Sequence, residues 1–350
     1  MSLTSFFRSP LSVFSLGTAK QPVPSGQNEL DFADAAPDVR RLIRDRRYIK
    51  ILAPSDGVEF DAASINHAWK AVEQDMAYVP PGHVTLVNEY AISQDGACGL
   101  SPGVVGASEV AAFYLDRTPV TNADYAKFVD AGGYDDYQLW PEHILEALLQ
   151  FVDATGQPGP ANWAQGKPAV EKRNHPVVGI CWYEANAYAQ WSGKRLPTSA
   201  EWQRAGTWGK SPGDSTSESQ YPWGNSFDPA KANTWAAGRN ATAPVTEFAA
   251  GSTPNGVRQL IGNVWEWMNT QYVLQVTEDV TVHFDEPMAE VRGGAFDSYF
   301  HSQATCKTRS GQPLSARRHN IGFRCCQLAD SLTPPSNEPH PTTQDAEGVS

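Results

Sequence analysis

Beyond Ala205 and as far as residue 328, regular hydrophobic periodicity thins out, although the stretch is rich in tryptophan, glycine and proline. This feature limits the fold more than any other in the 350 residues. A chain that is 41% hydrophobic has enough apolar material for a real core. That core must therefore be built largely on irregular backbone. Gly and Pro interrupt regular elements. The 11 Trp, 28 Gly and 26 Pro together describe a loop-rich structure held by large aromatic anchors.

Upstream of Ala205 the pattern is more regular. "MAYVPPGHVTLV" reads as a strand broken by Pro-Pro-Gly, and "FYLDRTPVTNADYAKFV" as a strand followed by a helix. Thr121 and Asp124 fit an N-terminal capping pattern there, with Tyr125, Phe128 and Val129 as the buried stripe. "CWYEANAYAQWSGKRLPTSAEWQRAG" predicts two helices. The first ends near Gly193; the second starts at Thr198 with Glu201 completing a capping box, and turns Trp202 and Ala205 inward. The expected organisation is a disordered tail over 1–28, a short helical extension over 29–75, one main domain over 76–328, and a disordered tail over 329–350. In the extension, "RRLIRDRR" lines the polar side of a helical pattern and reads as a solvated face.

Charge and cysteine usage narrow the function classes. A net charge of −12 argues against a broad nucleic-acid footprint, which needs clustered Lys and Arg. No apolar run approaches the ~20 residues of a membrane span. The 5 cysteines are scattered (Cys98, Cys181, Cys306, Cys325, Cys326) and make no even disulfide framework. A reducing cytoplasm is the expected setting, with secretion as the alternative that the weakly apolar N-terminus leaves open. No nucleophile elbow, P-loop or dinucleotide fingerprint is present. Asp135 and Asp136, adjacent in a turn, read as solvated rather than as an acid–base pair.

The motifs "YLDRTPVTNADYAKFV", "GKRLPTSAEWQRAG", "YPWGNSF", "LIGNVWEW", "VRGGAF" and "HNIGFRC" occur in that order. Together they resemble the formylglycine-generating enzyme family, also called sulfatase-modifying factors, over residues 76–328. The resemblance implies an α+β domain related to C-type lectins, with little regular secondary structure. Its formylglycine-making members oxidise a sulfatase cysteine using copper held by two cysteines in a C-x4-C arrangement; paired thiolates suit a soft Cu(I) ion. Those cysteines lie just after the RGG motif. Here the first position falls on Ser298 and the second, counted back from "NIGFR", on His301; no cysteine lies between Gly294 and Cys306. Cys306, Cys325 and Cys326 read as core thiols. Family members that use iron add a helical domain with an HxxxHxE motif. The 8 histidines of this chain include no pair at that spacing. Copper and iron are therefore not expected as cofactors.

Calcium is the metal the resemblance does imply. The positions matching one family site are Gln259, Gly262, Val264 and Glu266, with Gln259 offering a neutral amide oxygen where the family commonly has Asn or Asp. A second site would involve Asn233 and Thr234, with no evident acidic partner. The alternative for Glu266 is a buried carboxylate paired with an arginine.

The segment 297–319 carries the functional expectation. Asp297, Ser298, Tyr299, Phe300, His301, Gln303, Arg309 and Gln312 mix aromatic and hydrogen-bonding groups in the manner of a recognition surface. In the resembling proteins this segment lines the substrate groove, and in variable proteins of diversity-generating retroelements it carries the changeable residues. The expectation is a module that binds a peptide or protein ligand, with oligomeric state left open. The alternative is a metal-dependent oxidoreductase with a substituted centre, His301 standing in for a thiol.

Overall fold

The structure, a computed structural model, describes residues 74–94, 97–208, 218–277, 280–282 and 284–329. The expected tails and the helical patterns of 29–75 lie almost entirely outside these residues. Strand β1 (Met76–Val79) stops at Pro80-Pro81, and β2 (Gly82–Gln94) pairs antiparallel with β3 (Ala97–Val110) in a long hairpin. Strand β4 (Phe113–Asp116) then returns to pair with β1. Helix α1 (Asn122–Asp130) begins as its cap predicts: the Thr121 hydroxyl accepts from the Asp124 amide at 3.1 Å. A short α2 (Leu145–Leu148) precedes α3 (Trp182–Trp191), and α4 (Ser199–Thr207) starts at Thr198 with Glu201 closing the capping box. Tyr125 and Phe128 are buried, as are Trp202 and Ala205.

The remaining strands are β5 (Trp265–Gln271), β6 (Leu274–Thr277), β7 (Val280–Val282), β8 (Met288–Arg292), β9 (Arg309–Pro313), β10 (Ile321–Gly322) and β11 (Cys326–Leu328). One sheet has the order β1-β4-β11 and another the order β10-β5-β8-β9; β6 and β7 form a hairpin. Most of these strands lie where no period is visible in the sequence, for a physical reason. Ala289 to Arg292 on β8 are all buried, so both faces of the strand are covered and the apolar/polar alternation of a half-exposed strand disappears. Two of those buried residues, Glu290 and Arg292, are charged and are accommodated by pairing.

One core cluster joins α1 and α3 to β5 and β8, and includes Tyr125, Phe128, Trp163, Tyr188 and Trp267. Tyr125 and Tyr188 stack in it at 5.4 Å. Another surrounds Trp202, with Phe113, Leu115, Leu260 and Met268. Cys325 packs into the first cluster and Cys326 into the second, the opposite orientation expected of neighbouring residues in extended chain. The fold is α+β, with little helix and long loop stretches over 218–264.

Candidate binding surface

The surface begins at the end of β8. Gly293 and Gly294 have φ of +96° and +75°, and a Cβ at Gly293 would stand 2.4 Å from the Leu260 carbonyl oxygen. Only glycine fits this turn, which is why the sequence reads "RGG" where the chain leaves the sheet. The next residues anchor the loop. Ala295 and Phe296 are buried, and the Ser298 hydroxyl accepts from the Ala295 amide at 2.9 Å. The chain then surfaces. Tyr299 is 66% exposed and Phe300 60%, their rings packed edge to face at 5.1 Å. A single 3₁₀ turn, His301–Gln303, returns the chain to the core, where Ala304, Thr305 and Cys306 are buried. The Thr308 hydroxyl closes the loop by donating to the Ser302 carbonyl at 2.6 Å.

A second loop supplies a partner that sequence reasoning missed. The Trp235 amide donates to the Ser298 carbonyl at 3.2 Å, and its indole, 49% exposed, lies 6.0 Å from the Tyr299 ring. Trp235, Tyr299 and Phe300 thus form one exposed aromatic ridge. The His301 ring continues it by stacking on Phe227 at 5.6 Å. No sequence signal separates an exposed tryptophan such as Trp235 from a core one such as Trp163.

The expected ligand-binding residues divide accordingly. Tyr299, Phe300, His301 and Gln303 face solvent together. Asp297 is at the edge, its two oxygens accepting from the Asn320 amide at 3.2 and 3.0 Å, with the His319 Nε2 at 3.6 Å. Ser298 is 6% exposed, and its hydroxyl is used inside the turn, where it positions the loop. Arg309 is placed differently. It sits on β9 and its guanidinium is held by the buried Glu290 carboxylate and lies over the Tyr272 ring. Gln312, also on β9, is half-buried opposite Ala289, away from the exposed part of the loop.

The expected calcium positions fall into different circumstances. Glu266 is fully buried, and its oxygens accept from Arg324 at 2.7 and 2.8 Å and from the Trp202 indole at 2.8 Å. Its carboxylate is committed to that arginine, the alternative the sequence had left open. The Gln259 amide oxygen accepts from Asn263 at 2.7 Å, and the Gly262 carbonyl accepts from the Val264 amide at 2.9 Å. Asn233 and Thr234 differ. The buried Asn233 Oδ1 and Thr234 Oγ1 lack a hydrogen-bond partner, although buried polar atoms are nearly always satisfied. Orphaned oxygens are the donor type a hard cation takes.

With this geometry in hand the chain can be set beside known proteins. Residues 62–329 match the Sulfatase-modifying factor enzyme 1-like domain. The chain belongs to that family. It is 30% identical over 306 residues to a formylglycine-generating enzyme of Thermomonospora curvata, covering 75% of this chain and 95% of that protein. It is 29% identical over 291 residues to the Bos taurus protein named Inactive C-alpha-formylglycine-generating enzyme 2, covering 73% and 88%. Among solved structures, PvdO from Pseudomonas aeruginosa is similar at 20% identity, with a TM-score of 0.49 over 72% of this chain and 94% of that one. The family's copper-holding thiolate pair does not fit the residues here. The single cysteine of the segment, Cys306, has no exposure and packs against Gly206 and Leu260 in the core. Among the described residues, no three His, Cys, Asp or Glu side chains converge as a metal-binding group.

Proposed function

We propose that this family member is a binding module that takes a peptide or protein ligand on the ridge Trp235–Tyr299–Phe300. The observation that supports this reading is the exposure of those aromatic rings side by side on backbone that is fixed at both ends. Large rigid rings bring contact area at low conformational-entropy cost, and such residues dominate binding energy where they anchor a partner. The free, buried thiols Cys181, Cys325 and Cys326 are consistent with a reducing cytoplasm as its setting. A loop fixed at its ends and open in its middle also suits a retroelement-diversified protein. An imperfect template copy of codons 297–319 beside a reverse transcriptase gene is the observation that decides that point.

The test is affinity capture from a native lysate, followed by calorimetry with the identified partner. Tyr299→Ala should weaken binding by about 2 kcal/mol or more, with the melting temperature little changed. Normal binding by both Tyr299→Ala and Trp235→Ala overturns the reading. The competing reading, a metal-dependent oxidoreductase, draws on the similarity to formylglycine-generating enzymes. Copper-treated protein is incubated with reductant and a cysteine-containing sulfatase peptide, and the product is weighed by mass spectrometry. No formylglycine is expected; sustained turnover would establish the enzyme instead.

A further inference from the structure

Beside the ridge lies an open pocket of about 210 Å³ whose lining includes Asn162, Lys172, Asn240, Thr242, Phe296 and His319. It draws on the same loops as the surface already described. Phe296 and His319, which meet edge to face at 5.9 Å, flank Asp297, and the Asn240–Thr242 wall belongs to the loop that carries Trp235. Pro176 and Val178 add apolar surface, so the pocket combines one hydrophobic wall with amide, hydroxyl and cationic groups.

The charges decide what it can hold. Lys172 is half-buried, and among the described residues no carboxylate pairs with it. Its ammonium is close enough to His175 to act, after burial, in keeping that imidazole below its ordinary pKa. His175 in turn bonds the Thr242 hydroxyl of the pocket wall at 3.0 Å. Of the nearby carboxylates, Glu247 is neutralised by an arginine, whereas Asp297 is hydrogen-bonded by a neutral amide and keeps its charge. Both Asp297 oxygens accept from Asn320, and Glu247 is paired with Arg239 at 2.6 Å. Asn162 and Asn240 are exposed and can donate into the pocket. A lysine without a paired carboxylate, in a pocket that also offers amide donors, suits a carboxylate.

We infer that this pocket takes a carboxylate of the bound peptide, so that the ligand presents an acidic group beside the part it lays on the aromatic ridge. The inference rests on the binding reading above and specifies its ligand class. Lys172 supplies the countercharge, and the apolar wall of Phe296 and Val178 receives the methylene stem of the acidic side chain.

The experiment is affinity selection of acetylated hexapeptides from a solution library, made once with free and once with amidated C-termini, and read by mass spectrometry. Aspartate or glutamate should be enriched over asparagine or glutamine at one position on the wild-type protein. Lys172→Met should lower the affinity of the selected acidic peptides about tenfold, and Lys172→Arg should retain most of it, with both melting temperatures unchanged. Enrichment in the amidated set assigns the carboxylate to a side chain; enrichment only in the free set assigns it to the chain end. Tyr299→Ala separates the two levels of the argument. Selected peptides that need Tyr299 but show no acidic preference, or keep their affinity in Lys172→Met, overturn the carboxylate pocket and leave the ridge standing. Failure to select any peptide overturns both.

Discussion

Replacing Arg309 with alanine should damage the fold and not the ligand surface. Its guanidinium pairs with Glu290, and the two side chains are only 14% and 2% exposed. Removing one partner of a buried ion pair leaves an uncompensated charge and costs about 3–5 kcal/mol. Glu290 keeps the Ser199 hydroxyl as a donor and Arg292 at 3.7 Å, so the loss belongs near the lower end, about 3 kcal/mol. The ring contact between Arg309 and Tyr272 at 5.7 Å is lost as well and keeps the figure from falling much further. For a domain of this size that corresponds to a fall in melting temperature of roughly 6–12 °C. Urea and thermal unfolding of Arg309→Ala, Glu290→Gln and the double variant measure it. The two sites should couple by more than about 1 kcal/mol, because neutralising Glu290 relieves what the loss of Arg309 leaves behind. A melting temperature within about 2 °C of wild type, together with weakened partner binding, would refute the reasoning and return Arg309 to the ligand surface.

Other outcomes follow from the same structure. We propose that calcium binds where Asn233 Oδ1 and Thr234 Oγ1 are orphaned; melting should rise with added Ca²⁺ and fall with EDTA, and Asn233→Ala should abolish the difference. Burial opposes it, but hydrogen bonds from Arg195 and the Thr198 amide hold the Glu201 carboxyl below its ordinary value of 4.5. A depressed folded pKa gives stability that is complete above pH 4.5 and is lost as pH falls through the folded value. Urea melts from pH 7 down to pH 3 should therefore show Glu201→Gln weaker at neutrality and less acid-sensitive. Changing Tyr299, Phe300 and Gln303 together to serine should cost folding no more than roughly 1.5 kcal/mol, since all three are exposed; unfolding at room temperature would show that the loop is structural.

How much of this was legible beforehand depended on whether one residue's neighbours lie close in sequence. Capping is local, so Thr121 and Thr198 announced their helices. Adjacent residues in extended chain diverge, so Cys325 and Cys326 were separable without coordinates. Strand β8 had none, because burial on both faces erases alternation and its charged residues resemble a surface stretch. The site was half visible. The aromatic and polar character of 299–303 marked a surface, whereas Arg309 carried the same character inward to a carboxylate 19 positions upstream. Trp235 and Lys172 were invisible as site residues because the loops that bring them to Ser298 and Phe296 are set by tertiary contacts alone.

The arginines of the last part of the chain tie down the backbone around this loop. Arg309 is held by Glu290 on β8, Arg317 by Glu184 on α3, and Arg324 by Glu266 on β5. Each carboxylate side chain is at most 2% exposed. Such pairs add little net stability, since desolvation offsets most of the attraction, but a misplaced strand would leave a buried charge unpaired at a cost of several kcal/mol. In a region with short strands and long loops, that penalty specifies which backbone path is native. The glycine turn at Gly293–Gly294 fixes one end of the 297–303 loop, and Arg309 is the first of the arginines beyond it. Between those points the path is held by the buried Ala295, Phe296, Ala304, Thr305 and Cys306, by Ser298, which ties the turn from inside, and by the Thr308–Ser302 bond that closes it. The side chains from Tyr299 to Gln303 are therefore released from folding. Family membership consequently fixes the fold of this chain, while its function has to be argued from the ridge and the pocket themselves.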